Sequence, residues 1–166
     1  MFRDMRRKKQ QLSLEAAQAI LEQGSFGVLA LDGDAGYPYA LPISYVYDDG
    51  KIYFHSATSG HKLDAIQRNP KASFCVVGQD KVIPGKLNTL YRSVIAFGKL
   101  QIVEDEAEKR EALIKLAFKY GSEGSEDYRD AHIEKDWHRL CLLAMTVEHL
   151  SGKESMELVR MREKEA

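Results

Sequence analysis

The sequence predicts a mainly β fold with several helices, in which about six antiparallel strands close into a small barrel. Its 166 residues suit one domain with a single sizeable core. Four early apolar runs are joined mostly by tight turns, and this indicates antiparallel pairing instead of an alternating parallel sheet. Because closing such a sheet on itself removes its exposed edges, a barrel is the expected architecture.

The first element is predicted to be a helix over residues 13–24. Ser13 can cap its first turn, Glu15 complements the positive end of the helix dipole, and Gly24 is a natural stop. A basic arm, residues 1–11, precedes it and contains four consecutive cations. Without interleaved aromatic residues, and in a chain of net charge -1, these cations favour a dimer arm or a solvated tail over nucleic-acid binding.

Three strands are predicted next, over residues 26–31, 38–47 and 51–55. The last two are separated only by the turn at 48–50, so they are expected to pair as a hairpin. Pro42 cannot donate to a β ladder, and its strand therefore needs an edge or a bulge there. A plain edge strand satisfies this, and so does a strand whose free backbone groups bond a planar heterocycle.

The middle of the chain predicts a short helix and two more strands. The helix, residues 62–69, stops before a proline, and the strands cover 72–78 and 90–103. Gly98 predicts a bulge or bend within the longer strand.

The last third predicts an amphipathic helix, a loop and a final strand. Asp105 and Glu108 have the spacing of a capping box ahead of a helix at 107–120. One face of that helix carries four apolar or aromatic residues, Leu113, Leu116, Ala117 and Tyr120. A polar loop at 121–127 and a short helical piece through Trp137 precede a strand at 139–150. The charged tail covers residues 153–166, and its alternating charges over 157–165 are typical of a solvated helix end.

Composition and missing motifs exclude several classes of protein. The near-neutral charge gives no general attraction to nucleic acid or anionic membrane, and the longest apolar stretch is too short to span a bilayer. No signal peptide is apparent, and Cys75 and Cys141 lie in apolar runs where free thiols are usually buried. Nucleotide-binding, serine-hydrolase and zinc-protease motifs are absent, and the five histidines lack metal-site spacing. We therefore expect a cytoplasmic protein without a metal.

One segment, HSATSGHK at residues 55–62, stands out as a candidate site. It leaves a strand, offers three hydroxyl groups and a glycine, and enters a helix with two cationic side chains. Backbone N–H groups at a helix start, hydroxyl donors and a lysine are what a phosphate monoester requires. The alternative is that Ser59 only caps the helix while His61 and Lys62 are solvated.

Five spaced segments resemble the pyridoxamine 5'-phosphate oxidase-like split-barrel flavoproteins, in particular their nitroimidazole-resistance branch. They are the MRRKKQ opening, PYALPISY, FHSATSGHK, NPKASFCVV, and YRSVIAFGKLQIVED, with EHLSGKES extending the match. The resemblance implies one domain over residues 1–166 with a six-stranded antiparallel split β-barrel and flanking helices. It also implies a homodimer with FMN at each end of the interface.

The resemblance assigns cofactor contacts position by position. The strand expected beside the isoalloxazine ring is Leu41, Pro42, Ile43 and Ser44. The turn expected at the phosphate supplies His55, Ser56, Ala57, Gly60, His61 and Lys62. The residues expected to approach from the partner subunit are Tyr91, Arg92, Ser93, Val94 and Lys153.

His55 is also the expected catalytic residue, because a neutral imidazole near the flavin can donate a proton to a substrate or orient it. The alternative is that His55 only hydrogen-bonds the phosphate or the chain. Trp137 and His138 either line the rim of the site or, in the case of the tryptophan, anchor the core. The chain departs from the parent oxidases at Lys153-Glu154-Ser155-Met156, where those enzymes carry an Arg-Leu-His-x-Arg-like ending. Oxidation of pyridoxamine phosphate is therefore not expected.

The function implied is an FMN-dependent oxidoreductase that reduces small electrophiles such as nitroimidazole-like nitroaromatics. Two alternatives remain open at this point. One is a flavin-holding or redox-sensing protein with no dedicated substrate, which would share every cofactor residue. The other is a haem-binding split barrel, with His55, His61 or His149 as the axial ligand.

Overall fold

The computed structural model describes residues 1–85, 87–121 and 126–165. Its helices are α1 Leu14–Gln23, α2 His61–Arg68, α3 Glu106–Tyr120, α4 Glu126–Asp136 and α5 Met156–Glu165. Its strands are β1 Phe26–Asp32, β2 Pro38–Ser44, β3 Val46–Asp48, β4 Lys51–Ala57, β5 Lys71–Ile83, β6 Asn88–Ile102 and β7 Leu140–Glu154. Within the described residues these strands form one sheet in the order β2-β1-β5-β6-β7-β4-β3, and every neighbouring pair is antiparallel. The mainly β class with flanking helices is therefore confirmed.

The two edges of this sheet are joined by a single residue. β2 and β3 lie at opposite ends of the strand order, yet only Tyr45 separates them in the chain. One residue spans at most about 3.6 Å, so the sheet must curl until its edges meet at Tyr45. The Tyr45 ring is fully buried, and its hydroxyl donates to the carbonyl oxygen of Leu21 at 2.6 Å. The sheet is thus barrel-like, as the sequence predicts.

The predicted count of six strands is wrong, because the run at 38–47 divides at Tyr45. Its first part, β2, pairs with β1, and its second part, β3, pairs with β4. The predicted hairpin across the turn at 48–50 therefore holds only for β3 and β4. The Tyr45 backbone N–H donates to Tyr120 Oη at 2.9 Å instead of to a strand, and this satisfies the group that the break would leave unpaired.

Alternation along β4 creates two cores on opposite faces of the sheet. Ile52 and Phe54 point into the barrel, where they pack with a large cluster that includes Phe74. Tyr53 points the other way, into a second cluster that α3 closes with Leu113 and Leu116. The apolar face predicted for α3 thus covers the outside of the barrel beside β4.

Several local predictions from the sequence are confirmed. Ser13 Oγ accepts from the Ala16 backbone N–H at 3.2 Å, and Asp105 Oδ1 accepts from that of Glu108 at 2.7 Å. The pairing of β6 with β7 shifts register between Phe97 and Gly98. A β-carbon at Gly98 would lie 2.0 Å from the carbonyl oxygen of Thr146, which is why the bulge requires glycine.

Two predictions about the end of the chain are wrong. Of the loop predicted at 121–127, residues 122–125 lie outside the described residues, and 126–127 already belong to α4. The tail predicted to be solvated contains the end of β7 and then α5, which buries Leu158 and Val159. The helix expected at 157–165 is thus present as α5, and only its full solvation is contradicted. No helix in the described residues is both long and apolar enough to cross a membrane.

Candidate functional site

The candidate site begins where β4 ends. His55 lies on the same face of β4 as Tyr53 and is exposed at its edge, opposite Leu142 of β7. Ser56 points to the other face and is buried opposite Cys141. The chain then bends through exposed residues and enters α2 at Gly60, whose φ of 122° lies in a region that favours glycine.

Lys62 in the first turn of α2 is a half-buried cation without a counter-charge. Within the part of the chain that the structure describes, its ammonium group has no hydrogen-bond or ion-pair partner. Burial lowers the pKa of Lys62 from its ordinary value, because leaving water disfavours the charged form. An ammonium group that loses hydration without gaining an anion is destabilising, so this position favours an anionic ligand.

His55 lies close enough to Lys62 for their charges to interact. Burial lowers the pKa of His55 from its ordinary value, and the positive charge of Lys62 lowers it further. The imidazole is therefore neutral at pH 7. It forms no hydrogen bond with any residue that the structure describes. A neutral ring with one donor and one acceptor is thus available to a ligand.

His61, by contrast, already contacts residues of the loop between β1 and β2 and of β2 itself. Its Nε2 lies 3.2 Å from Asp34 Oδ2, and its ring stacks on Tyr39 with centroids 4.1 Å apart. Asp34 also contacts Arg68 Nη2 at 2.8 Å. The sequence does not predict these partners, because the 32–36 turn is distant in the chain. Any ligand contact of His61 must share the ring with Asp34.

The predicted ring-side strand, β2, is an edge of the sheet, as Pro42 requires. Leu41 and Ile43 pack against the barrel core, while Pro42 is exposed and pairs with Val28 of β1. Ser44 lines a cavity together with His55. The end of β2 and the end of β4 are thus brought together.

The remaining predicted contacts form a separate group at the far end of β7. Ser93 pairs with Lys153, whose ammonium lies 5.8 Å from the centre of the Tyr91 ring. Val94, also predicted as a contact, is fully buried. His55 faces Leu142 at the start of β7, and the eleven residues from there to Lys153 correspond to roughly 36 Å of strand. One chain therefore does not bring the two groups of predicted contacts together.

Arg92 in that second group is held inside the chain. Its Nε donates to Glu154 Oε2 at 3.2 Å, and Arg162 Nη1 lies 2.8 Å from Glu154 Oε1. Glu154 is fully buried, and its backbone carbonyl accepts from Gln10 Nε2 at 2.9 Å. β6 and α5 meet β7 at this carboxylate, and the basic arm contacts the backbone of the same residue.

A cavity of about 540 Å³ opens beside His55, between β4, α3 and α4. Its apolar wall consists of Leu113, Leu116, Ala117, Ile133 and Leu140. Its polar lining consists of Ser44, His55, Tyr120, Gly121, Tyr128, His132 and Asp136. The sequence predicts the apolar stripe of α3 and a short helical piece through Trp137, which corresponds to α4, but it assigns a ligand to neither. The spacing of Tyr128, His132 and Asp136, four residues apart, is the signal that would have placed a helix face here.

Trp137 and His138 do not line this cavity. Lys109 donates to the Trp137 carbonyl oxygen at 3.1 Å, and its ammonium lies 4.3 Å from the centre of the indole. The indole packs against the outer core beside α3. Trp137 is therefore a packing anchor, the second of the two interpretations that the sequence left open.

Comparison of the sequence with protein families gives one match. The family model for pyridoxamine 5'-phosphate oxidase matches residues 13–154, which is most of the chain and includes both groups of predicted contacts. No curated protein matches the sequence.

Solved structures share this fold at low sequence identity. A candidate 5-nitroimidazole antibiotic resistance protein from Bacteroides thetaiotaomicron is 21% identical, with a TM-score of 0.70 over 87% of this chain and 86% of its own. A FAD-binding protein from Mesorhizobium loti is 23% identical, with a TM-score of 0.62 over 87% and 96%. A FAD and heme binding protein from Mycobacterium smegmatis is 24% identical, with a TM-score of 0.69 over 89% and 73%.

Proposed function

Because the chain belongs to the pyridoxamine 5'-phosphate oxidase family, we propose that it binds FMN and reduces small electrophilic compounds, nitroaromatics among them. The observation that carries the proposal is the half-buried ammonium of Lys62, which has no counter-charge among the described residues. A phosphate monoester would supply that charge. The hydroxyl groups of the neighbouring turn would supply the remaining donors.

The flavin ring would lie along the end of β2. Among the described residues no further strand pairs with the outer side of β2, and Pro42 interrupts the donors of its ladder. Free backbone groups there suit the polar edge of a planar heterocycle. Ser44 and His55 lie at the same end of the barrel as the turn that would hold the phosphate, so one ligand can reach both.

A homodimer would complete the site. The outer face of β1, β5 and β6 exposes Phe26, Val28, Val77 and Ile95, with exposed fractions of 39% to 63%. Val28 pairs with Cys75 and Cys75 with Ile95, so these side chains form a continuous apolar patch. Patches of this kind commonly mark subunit interfaces. A second copy seated on this face would bring its own Tyr91, Arg92 and Lys153 toward the flavin, which one chain alone cannot do.

His55 would act on the substrate side. A neutral imidazole without a protein partner can donate a hydrogen bond to a polar group of the substrate or give up a proton to it. The flavin would supply the hydride or the electrons. The residues of this chain would hold the coenzyme, orient the substrate and exclude water.

Titration of the apo-protein with FMN, riboflavin and FAD tests the proposal directly. We expect FMN to bind at least tenfold more tightly than riboflavin, because only FMN carries the phosphate that Lys62 would pair with. Lys62→Met should remove most of this preference and leave riboflavin binding unchanged. Lys71→Met, which removes an exposed lysine at the start of β5, is the matched control and should keep the preference.

Equal affinities for FMN and riboflavin would contradict the phosphate site. Tighter binding of FAD than of FMN would show that FAD is the coenzyme. A red protein with a Soret band would show that the cofactor is haem and not a flavin. Steady-state reduction of a nitroaromatic compound then separates a reductase from a flavin-holding protein. Turnover no faster than that of free FMN would favour the flavin-holding protein.

A further inference from the structure

The cavity beside His55 has walls of two different kinds. On one side, Leu113, Leu116 and Ile133 present apolar surface from α3 and α4. On the other side, β4 presents the His55 imidazole. A cavity of about 540 Å³ whose surface is mainly apolar and carries polar groups at its edge has the size and chemistry of a small-molecule site.

His132 supplies a directional polar group on α4. Its Nδ1 lies 2.9 Å from the backbone carbonyl oxygen of Tyr128, one turn earlier. Because a carbonyl oxygen can only accept, Nδ1 carries the hydrogen, and in the neutral ring Nε2 is then an acceptor. The ring also lies against that of Tyr128, with centroids 4.1 Å apart, so its orientation is fixed by two contacts. With respect to the residues that the structure describes, Nε2 has no partner and is the nitrogen left for a ligand.

We propose that this cavity binds a small, flat, uncharged heteroaromatic compound whose ring N–H donates to His132 Nε2. Apolar walls favour an aromatic ring, and they disfavour a charged ligand because none of its hydration would be replaced. Asp136, a carboxylate among the described lining residues, further disfavours an anion. The ligand would lie against the same face of β4 as His55. That the cavity binds such a compound does not depend on the proposed function. That the compound is the substrate of the flavin does.

Indole is a suitable probe, because it is flat and uncharged and its only polar group is a ring N–H. We expect the apo-protein to bind indole about fivefold more tightly than 1-methylindole, which lacks the donor. His132→Phe should bind both with equal affinity. His132 is exposed, so this variant should fold normally. Isothermal titration calorimetry measures all four affinities.

A second variant fills the cavity from α3. Leu116→Trp should abolish indole binding, while Phe118→Trp, on the exposed side of the same helix, should retain it. FMN affinity of Leu116→Trp should stay within threefold of that of the unchanged protein, since Leu116 lies on the α3 side of the cavity, away from Lys62 and the hydroxyl groups of the turn.

The possible results separate the two proposals. Indole binding without any flavin binding would refute the proposed function and leave the cavity as a ligand site. Loss of FMN together with indole in Leu116→Trp would overturn the inference, because the cavity would then hold the flavin ring itself. Equal binding of indole and 1-methylindole to the unchanged protein would overturn the role of His132.

Discussion

Cationic side chains lie beside the turn at the end of β4 and beside the Glu154 carboxylate at the end of β7, but the two regions differ in whether the cations have an anionic partner. Arg92 and Arg162 converge on the buried carboxylate of Glu154 at 3.2 and 2.8 Å. Lys62 is half-buried too, yet no carboxylate faces it within the described chain. The arginines beside the end of β7 are paired with Glu154 of the same chain. The ammonium group of Lys62 is left for an anionic ligand to neutralise.

This difference indicates that the contacts of Glu154 stabilise the fold, whereas Lys62 is available to a ligand. A buried carboxylate with two guanidinium partners joins β6, β7 and α5 in the folded state. An unpaired, partly desolvated ammonium group does the reverse, because it costs stability until an anion arrives. Arg92 can still contact a ligand through its Nη groups, since only Nε is engaged by Glu154. Its charge, however, is already balanced, so Lys62 should dominate anion binding.

The largest effect on stability is expected when the Glu154 carboxylate is removed. Glu154→Ala should lower the free energy of unfolding by about 2 to 4 kcal/mol, because it empties a fully buried position and removes the shared carboxylate of two partly exposed guanidinium groups. Urea denaturation measures this. Glu148→Ala is the matched control on the same strand, since Glu148 pairs with Lys99 at the surface, and should cost less than about 1 kcal/mol. Equal losses in the two variants would show that burial gives the Glu154 contacts no special role.

The backbone of the turn provides the next largest effect. Gly60→Ala should cost about 1 to 3 kcal/mol, because a φ of 122° with ψ of 173° is accessible to glycine almost alone. A β-carbon there would meet no atom within 4 Å, so the cost comes from the backbone and not from crowding. Thermal or urea unfolding measures the loss. Unchanged stability would mean that the turn relaxes freely and is not preorganised for a ligand.

Removing the unpaired charge of Lys62 should change stability in the opposite direction from removing the paired charge of Glu154. Without ligand, Lys62→Met should raise the free energy of unfolding by about 0.5 to 1 kcal/mol, because the desolvated cation is gone. With saturating FMN the order should reverse, since ligand binding stabilises the unchanged protein more. Urea denaturation with and without FMN measures both. A loss of stability in the ligand-free variant would reveal a stabilising partner for Lys62 and remove the contrast.

The smallest effect is on the ionisation of His55. Its pKa is lowered from 6.5 by burial first and by Lys62 second, so Lys62→Met should move it part of the way back, as NMR titration of the ring would detect. Because the folded pKa lies below the unfolded one, the unfolded chain takes up a proton first as the pH falls. Stability is therefore fully present above pH 6.5 and decreases as the pH falls toward the folded pKa. His55→Gln should remove this part of the acid dependence, and an unchanged pH profile would contradict the partial desolvation of the His55 ring.

The sequence predicts local structure here better than it predicts how segments divide. The caps at Ser13 and Asp105 and the bulge at Gly98 follow from nearby residues, and each is confirmed. The strand at 38–47 was predicted as one piece, because nothing within that run signals a break. The break depends on Tyr120, which lies 75 residues away and accepts the Tyr45 N–H. The helical piece predicted through Trp137 corresponds to α4, but α4 already begins at Glu126, inside the predicted loop, because its polar first residues resemble those of a loop.

The same division applies to the candidate site. The residue types at 55–62 predict a phosphate-binding turn, since hydroxyls, a glycine and a lysine ahead of a helix are recognisable from the sequence alone. That Lys62 is unpaired while His61 is held by Asp34 and Tyr39 depends on distant segments, so only the folded chain decides it. The cavity beside His55 is likewise formed by β4, α3 and α4 together. Short-range chemistry determined which residues can bind, and long-range packing determined which of them remain free to do so.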